Sequence, residues 1–186
     1  MRIISGLYKG RRITAPKKLP VRPTTDMAKE ALFNILNNTY YFDAISVLDL
    51  FAGIGSISYE FASRGTTQIT SVDQELGCTK FITETAESFD MPIQVIKSEV
   101  FKFLGQTNIK STIIFADPPY ALPEEEFSKI PELVFKNNLL EEDGVLIVEH
   151  SKHTDLSNLE YYNYSKGYGG NMFSFFSHPS KDTDED

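Results

Sequence analysis

The chain has 186 residues, 18 Lys and Arg against 26 Asp and Glu, a formal charge of −8, one cysteine and no tryptophan. The length suits one well-buried core, no apolar run reaches the roughly 20 residues that cross a bilayer, and Gly6 and Lys9 interrupt the N-terminus too early for a signal-peptide core. Cys78 alone builds neither a disulfide framework nor a thiolate metal cluster, so a reducing, cytoplasmic setting is expected, and the net charge by itself argues against a nucleic-acid partner.

The charge is unevenly placed. Residues 1–29 hold eight bases (Arg2, Lys9, Arg11, Arg12, Lys17, Lys18, Arg22, Lys29) against Asp26, a net of +7. The other 157 residues then carry 10 bases and 25 acids, a net of −15, with four acids in the last five positions. Residues 1–23 read as a basic arm with a small hairpin around Ser5 and Gly6, and Pro16, Pro20 and Pro23 exclude regular helix up to Thr24. Residues 24–178 read as one folded domain, and 179–186 as an acidic tail too poor in apolar residues to order.

Past the arm, Ala28, Ala31, Leu32, Ile35 and Leu36 have the spacing of one buried helix face, with Thr24 or Thr25 as the cap and Asp26 at the positive end of the dipole. From residue 46 short apolar runs alternate with helical stretches. Strands are expected at Val47–Phe51, Ile69–Val72, Ile93–Ile96, Thr112–Ala116 and Val145–Val148, with helices over 56–64, 77–89, 100–104 and 126–137. Apolar strands separated by helices imply a parallel sheet covered on both faces. Beyond residue 158 the aromatic segments on either side of Gly167-Tyr-Gly-Gly predict a terminal hairpin that adds antiparallel strands.

In such a sheet ligands bind beyond the carboxyl ends of the strands. The first strand runs through Asp49 into Phe51-Ala52-Gly53-Ile54-Gly55, where two glycines permit a tight turn and a close backbone approach to a cofactor. Asp73 follows Gly53 by 20 residues, the distance at which an acid accepts from ribose hydroxyls, whether of NAD or of S-adenosylmethionine (SAM). Glu99, after the third strand, stands where an acid can meet an adenine amino group. The fourth strand ends in Asp117-Pro118-Pro119-Tyr120. The prolines make this stretch rigid, so Asp117 and the Pro118 carbonyl can both accept from one exocyclic amino group while Tyr120 offers a stacking face. Methyl transfer needs little more than that alignment. His150, His153 and His178 supply no convincing metal site, and none is expected.

With these motifs together, the sequence resembles SAM-dependent amino-methyltransferases of the Rossmann-like class I type. The arm narrows the likeness: Arg2-Ile-Ile-Ser-Gly, Gly10-Arg-Arg, Arg22-Pro-Thr-Thr-Asp26 and Glu30-Ala-Leu-Phe-Asn-Ile-Leu36 resemble the RsmD family, the bacterial 16S rRNA guanine-N2 methyltransferases, from residue 2 to about 176. The family's Ser-Arg-Gly tripeptide is Ser63-Arg64-Gly65. The resemblance implies a seven-stranded, mostly parallel sheet, SAM as cofactor and small-subunit rRNA as partner. It assigns Asp49, Phe51, Ala52, Gly53 and Gly55 to the methionine end of SAM, Asp73 to the ribose, Arg22 and Thr24 to the mouth of the site, and Asp117 to Tyr120 to the target base. Arg2, Lys9, Arg11, Arg12, Lys17 and Lys18 are the expected RNA contacts, with Lys166 and Tyr168 as further candidates. Ser58 stands where the family's cofactor loop often has glycine, Glu99 where Asp or a small residue is common, and the family's Asn after the ribose acid is missing around Thr85. An amino-methyltransferase acting on adenine N6 or on protein Gln, and a non-catalytic RNA-binding module, are the competing readings.

Overall fold

The computed structural model describes residues 1–22 and 24–181; Pro23 and residues 182–186, most of the expected acidic tail, lie outside it. Helix α1 spans Asp26–Asn37, and the Thr25 side chain caps it by accepting from the Ala28 amide at 3.2 Å. Its buried face is Ala28, Lys29, Leu32, Phe33 and Leu36, turned from the expected one because Lys29 is drawn inside; Ala31 and Ile35 are only partly buried. After a short 3-10 turn at Phe42–Ala44 the alternating pattern unfolds as expected. In chain order come β1 (Ser46–Leu50), α2 (Ser56–Ser63), β2 (Gln68–Asp73), α3 (Leu76–Ser88), β3 (Ile93–Lys97), α4 (Val100–Gln106) and β4 (Ser111–Ala116).

One expected helix, 126–137, is instead two: α5 (Glu124–Phe127) and α6 (Lys129–Lys136), parted at Ser128. Pro131 is the reason. A continuous helix would need its missing N–H, whereas in the first turn of α6 that donor is dispensable. Strand β5 (Leu140–Ser151) is much longer than the apolar core Val145–Val148 predicts, because it pairs with β4 and also with the hairpin β6 (Tyr162–Tyr168) and β7 (Asn171–Phe176).

The described residues form a seven-stranded sheet in the order β3-β2-β1-β4-β5-β7-β6. Strands β1 to β5 are parallel; β7 is antiparallel to both β5 and β6. Side chains alternate across it: Ile113 and Phe115 of β4 join α1, α2 and α3 on one face, while Ile114 and Ala116 join α4 and α6 on the other. The strand order reverses between β1 and β4, and that fixes where a ligand crevice opens.

The arm is part of this packing. Arg2 and Arg12 form an antiparallel bridge, and Ile3 and Ile13 are buried in the α1–α3 core. Gly6 lies so close to α2 that a Cβ would sit 1.9 Å from the Ser63 carbonyl oxygen, with φ at +85°. Only glycine fits there. The Ser63 hydroxyl donates to the Ser5 carbonyl at 2.6 Å and accepts from the Tyr8 amide at 3.0 Å, so the Ser-Arg-Gly tripeptide docks the arm.

Candidate active site

The ends of β1 and β4 lie side by side, with Leu50 paired to Ala116, and from that junction the two motifs diverge into one crevice. The β1 side turns through three residues of positive φ, Phe51 (+55°), Gly53 (+58°) and Gly55 (+86°), before α2 starts at Ser56 without a side-chain cap. A Cβ on Gly55 would sit 2.8 Å from the Tyr59 ring, so this glycine is sterically required. The loop is clasped by Asp73: its Oδ2 accepts from the Gly53 amide at 2.9 Å and its Oδ1 from the Glu75 amide at 2.9 Å. The 20-residue spacing thus brings loop and acid into direct contact. Val21 of the arm packs on the loop, 3.4 Å from where a Gly53 Cβ would be.

Beneath the loop Asp49 is buried, and the Ser58 hydroxyl bridges it, donating to Asp49 Oδ2 at 2.6 Å and lying 2.6 Å from Ser71 Oγ. Ser58 therefore supplies the carboxylate's partner. Burial drives the Asp49 pKa up to about 7, with the charge of Asp73 adding to it and the Ser58 hydrogen bonds opposing. A carboxylate with a raised folded-state pKa binds its proton more tightly when folded, so its contribution to stability is full below about pH 4 and is lost as pH rises to about 7. The full difference is roughly 4 kcal/mol. Asp49→Asn is therefore expected to be more stable than the parent protein by about 2–4 kcal/mol at pH 8, converging with it near pH 4. Urea melts at the two pH values check this; a pH-independent difference would rule it out.

On the β4 side, Asp117 is partly buried and Pro118 buried, while Tyr120 is 66% exposed with the Arg22 guanidinium 5.7 Å from its ring centre. Burial, and next the charge of Glu149, hold the Asp117 carboxyl well above the usual range. Glu149 ends the apolar run of β5 and is 3% exposed. It accepts from the Thr24 hydroxyl at 2.9 Å and the Asn171 amide at 2.8 Å. Asp117, Pro118, Tyr120, Glu149 and Asn171 line one recess.

Arg22 is exposed against Tyr120, Thr24 is buried against Glu149, and Pro119 is exposed. Glu99 is at the end of β3, but both its oxygens cap α4, accepting from the Phe101 and Lys102 amides at 3.0 and 2.8 Å. Phe101 in turn packs edge-on against Phe51. Lys9, Arg11, Arg12, Lys17 and Lys18 are exposed, and Arg2 pairs with Asp26 at 3.3 Å. Lys29 differs: it is 1% exposed and internal. His150 has both ring nitrogens engaged, with Ser174 Oγ and the Ser151 carbonyl, and among the described residues no three His, Cys, Asp or Glu side chains group around a metal position. No helix of the described residues is long and apolar enough to cross a membrane. The sequence reading missed Glu149 and Asn171, although an acid directly after an apolar parallel strand is the same signal that picks out Asp73 and Asp117.

The family model described as "Conserved hypothetical protein 95" matches residues 1–177. A Bacillus subtilis protein provisionally named an rRNA methyltransferase is 34% identical over 161 residues, covering 84% of this chain and 85% of its own. The Escherichia coli "Ribosomal RNA small subunit methyltransferase D" is 32% identical over 152 residues, covering 80% and 71%. The chain belongs to the RsmD family of methyltransferases. The fold agrees: a solved Escherichia coli structure provisionally named a methyltransferase superposes with a TM-score of 0.84 at 23% identity, covering 96% of this chain and 99% of that one. Within this Rossmann-like class I architecture with its terminal hairpin, the glycine loop and the Asp117 turn occupy the β1/β4 crevice.

Proposed function

We propose that this RsmD-family enzyme transfers a methyl group from SAM to the 2-amino group of a guanine in 16S rRNA, on the small ribosomal subunit and in the cytoplasm. The carrying observation is the adjacency of the glycine loop and the Asp117-Pro118 turn at neighbouring strand ends. The rRNA acceptor is supported by what the relatives are named for. The residues fit the cofactor: a loop with positive φ at both glycines, an uncapped helix start, and the Asp49 and Asp73 carboxylates beside them. Asp49 and the loop would hold the methionine end and Asp73 the ribose, while Glu99 would reach adenine only through lone pairs left over from capping α4.

When bound, SAM supplies a methyl group on a positively charged sulfur. The chain supplies alignment. Asp117 and the Pro118 carbonyl accept the two amino protons, which immobilises N2 and leaves its lone pair free to point at the methyl group. Tyr120 stacks the base on the ring face not occupied by Arg22. Because N2 of a paired guanine cannot reach such a turn, the target is unpaired or flipped out. Residues 1–23 then serve the RNA, 24–178 the chemistry, and 179–186 form an acidic tail.

The deciding experiment offers labelled SAM with unmodified small subunits, naked rRNA, DNA and bulk protein. Label is expected in RNA as N2-methylguanine; label confined to DNA or protein would overturn the reading. The arm has its own test. Of its seven bases Arg2 is paired with Asp26, leaving six exposed charges: Lys9, Arg11, Arg12, Lys17, Lys18 and Arg22. Replacing Lys17 and Lys18 together by alanine is expected to reduce the slope of log affinity for RNA against log salt by about 1–2, with cofactor affinity unmoved. An unchanged slope would remove these two residues from the RNA surface.

A further inference from the structure

The recess beside Asp117 is lined by carboxylates and by no Lys or Arg side chain. Its walls carry the Asp117 and Glu149 carboxylates and the Asn171 side chain. Asn171 turns its amide nitrogen to Glu149 at 2.8 Å, which leaves Oδ1 facing the Tyr120 hydroxyl at 3.4 Å. Among the described residues no Lys or Arg nitrogen lies within 4.0 Å of either carboxylate, and Arg22 faces Glu149 only at longer range. A carboxylate offers about four lone-pair directions, and Glu149 uses two, one for Thr24 and one for Asn171. Two such groups together in a largely buried recess repel each other when both are ionised, and an entering group that brings N–H donors relieves that repulsion.

The identity of those donors follows from base chemistry, given the reading above in which Asp117 and Pro118 take an amino group. Adenine and cytosine each place an acceptor ring nitrogen beside their amino group. Guanine alone places a donor, N1–H, next to its 2-amino group. A second carboxylate beside Asp117 therefore suits guanine and repels the other two amino bases.

We propose that Glu149 selects the base, accepting the guanine N1–H while Asp117 and the Pro118 carbonyl hold the 2-amino group. Thr24 and Asn171 aim it, one from the residue just past the arm and one from the start of β7. Selection of guanine is thereby tied to correct seating of the arm that meets the RNA.

The test compares guanine with 2-aminopurine at the methylated position of the same RNA. The analogue keeps the 2-amino group, replaces N1–H by an acceptor and lacks the 6-oxygen, a loss that wild type and a Glu149 variant meet alike. Single-turnover methylation by the wild-type protein is expected to favour guanine by about 100-fold. Glu149→Gln, which can donate from its amide, is expected to lose activity on guanine and gain it on 2-aminopurine, contracting the preference at least about 10-fold. Equal losses on both RNAs, with the preference unchanged, would make Glu149 a brace and overturn the proposal. A wild-type preference below about threefold would overturn it without any variant, so misfolding of Glu149→Gln does not shelter it. If wild-type protein that binds SAM methylates no guanine, the proposed function fails and this inference with it.

Discussion

Asp117→Ala is expected to slow single-turnover methyl transfer by at least about 10³-fold while shifting cofactor affinity by no more than about threefold. The asymmetry follows from where Asp117 stands. It extends from β4 into the recess, whereas the glycine loop, Asp49 and Asp73 are held by hydrogen bonds that do not involve its side chain. Removing it frees the amino group to rotate, and most of the rate available from holding two reacting atoms in line is lost. Asp117→Asn keeps the shape and one acceptor, so a smaller loss, about 10- to 100-fold, is expected. The wild-type rate should also rise with pH through a range above that of ordinary carboxylates. Burial and the neighbouring Glu149 keep Asp117 protonated longer, and a protonated carboxyl donates where an acceptor is needed. Asp49 adds to the same field and Arg22 opposes it at Glu149. Labelled-SAM single turnovers and calorimetric cofactor titration measure both halves. Full activity in Asp117→Ala, or equal loss of binding and rate, would remove the proposed role.

The parallel sheet was legible because each of its parallel strands carries a short apolar run, and the crevice because two motifs stand at strand ends. What the sequence hid were partners distant along the chain. Glu149 and Asn171 are 22 residues apart and meet only because β7 returns antiparallel beside β5. The rotation of α1 was equally invisible: a lysine at position 29 reads as the edge of a polar face until its partner, Glu60, is placed. Glu60 itself looks like an ordinary surface residue of a short helix, yet it is wholly buried. The split of α5 from α6 was within reach, since Pro131 stands in the middle of the expected helix. The +7 holds for residues 1–29, but one of those charges, Lys29, faces inward.

That inward charge leads to the largest stability effect expected. Glu60 Oε1 accepts from the Ser5 amide and from Arg64 Nε, each at 3.0 Å; Oε2 accepts from the Ile4 amide at 3.0 Å and faces Lys29 Nζ at 3.5 Å. Lys29 Nζ also donates to the Arg2 carbonyl at 2.7 Å and to Ser56 Oγ at 3.3 Å. One buried carboxylate therefore fastens the arm to α2, and its lysine joins that anchor to the residue starting α2 behind the glycine loop. Glu60→Gln should cost about 3–5 kcal/mol, because it leaves Lys29 buried without its counter-charge and presents an N–H donor to a cluster of donors. Burial already lowers the Lys29 pKa, and loss of Glu60 removes the main force opposing that shift. Lys29→Met should cost less, since Arg64 and two amides still satisfy Glu60, and the double variant should cost less than the sum of the two. Urea denaturation of the four proteins closes the cycle, and hydrogen exchange at the Ile4 and Ser5 amides reports the latch directly. Both amides should lose protection in Glu60→Gln well before the sheet does. A change under about 1 kcal/mol with those amides still protected would mean that core packing of Ile3 and Ile13, not this ion pair, holds the arm in place.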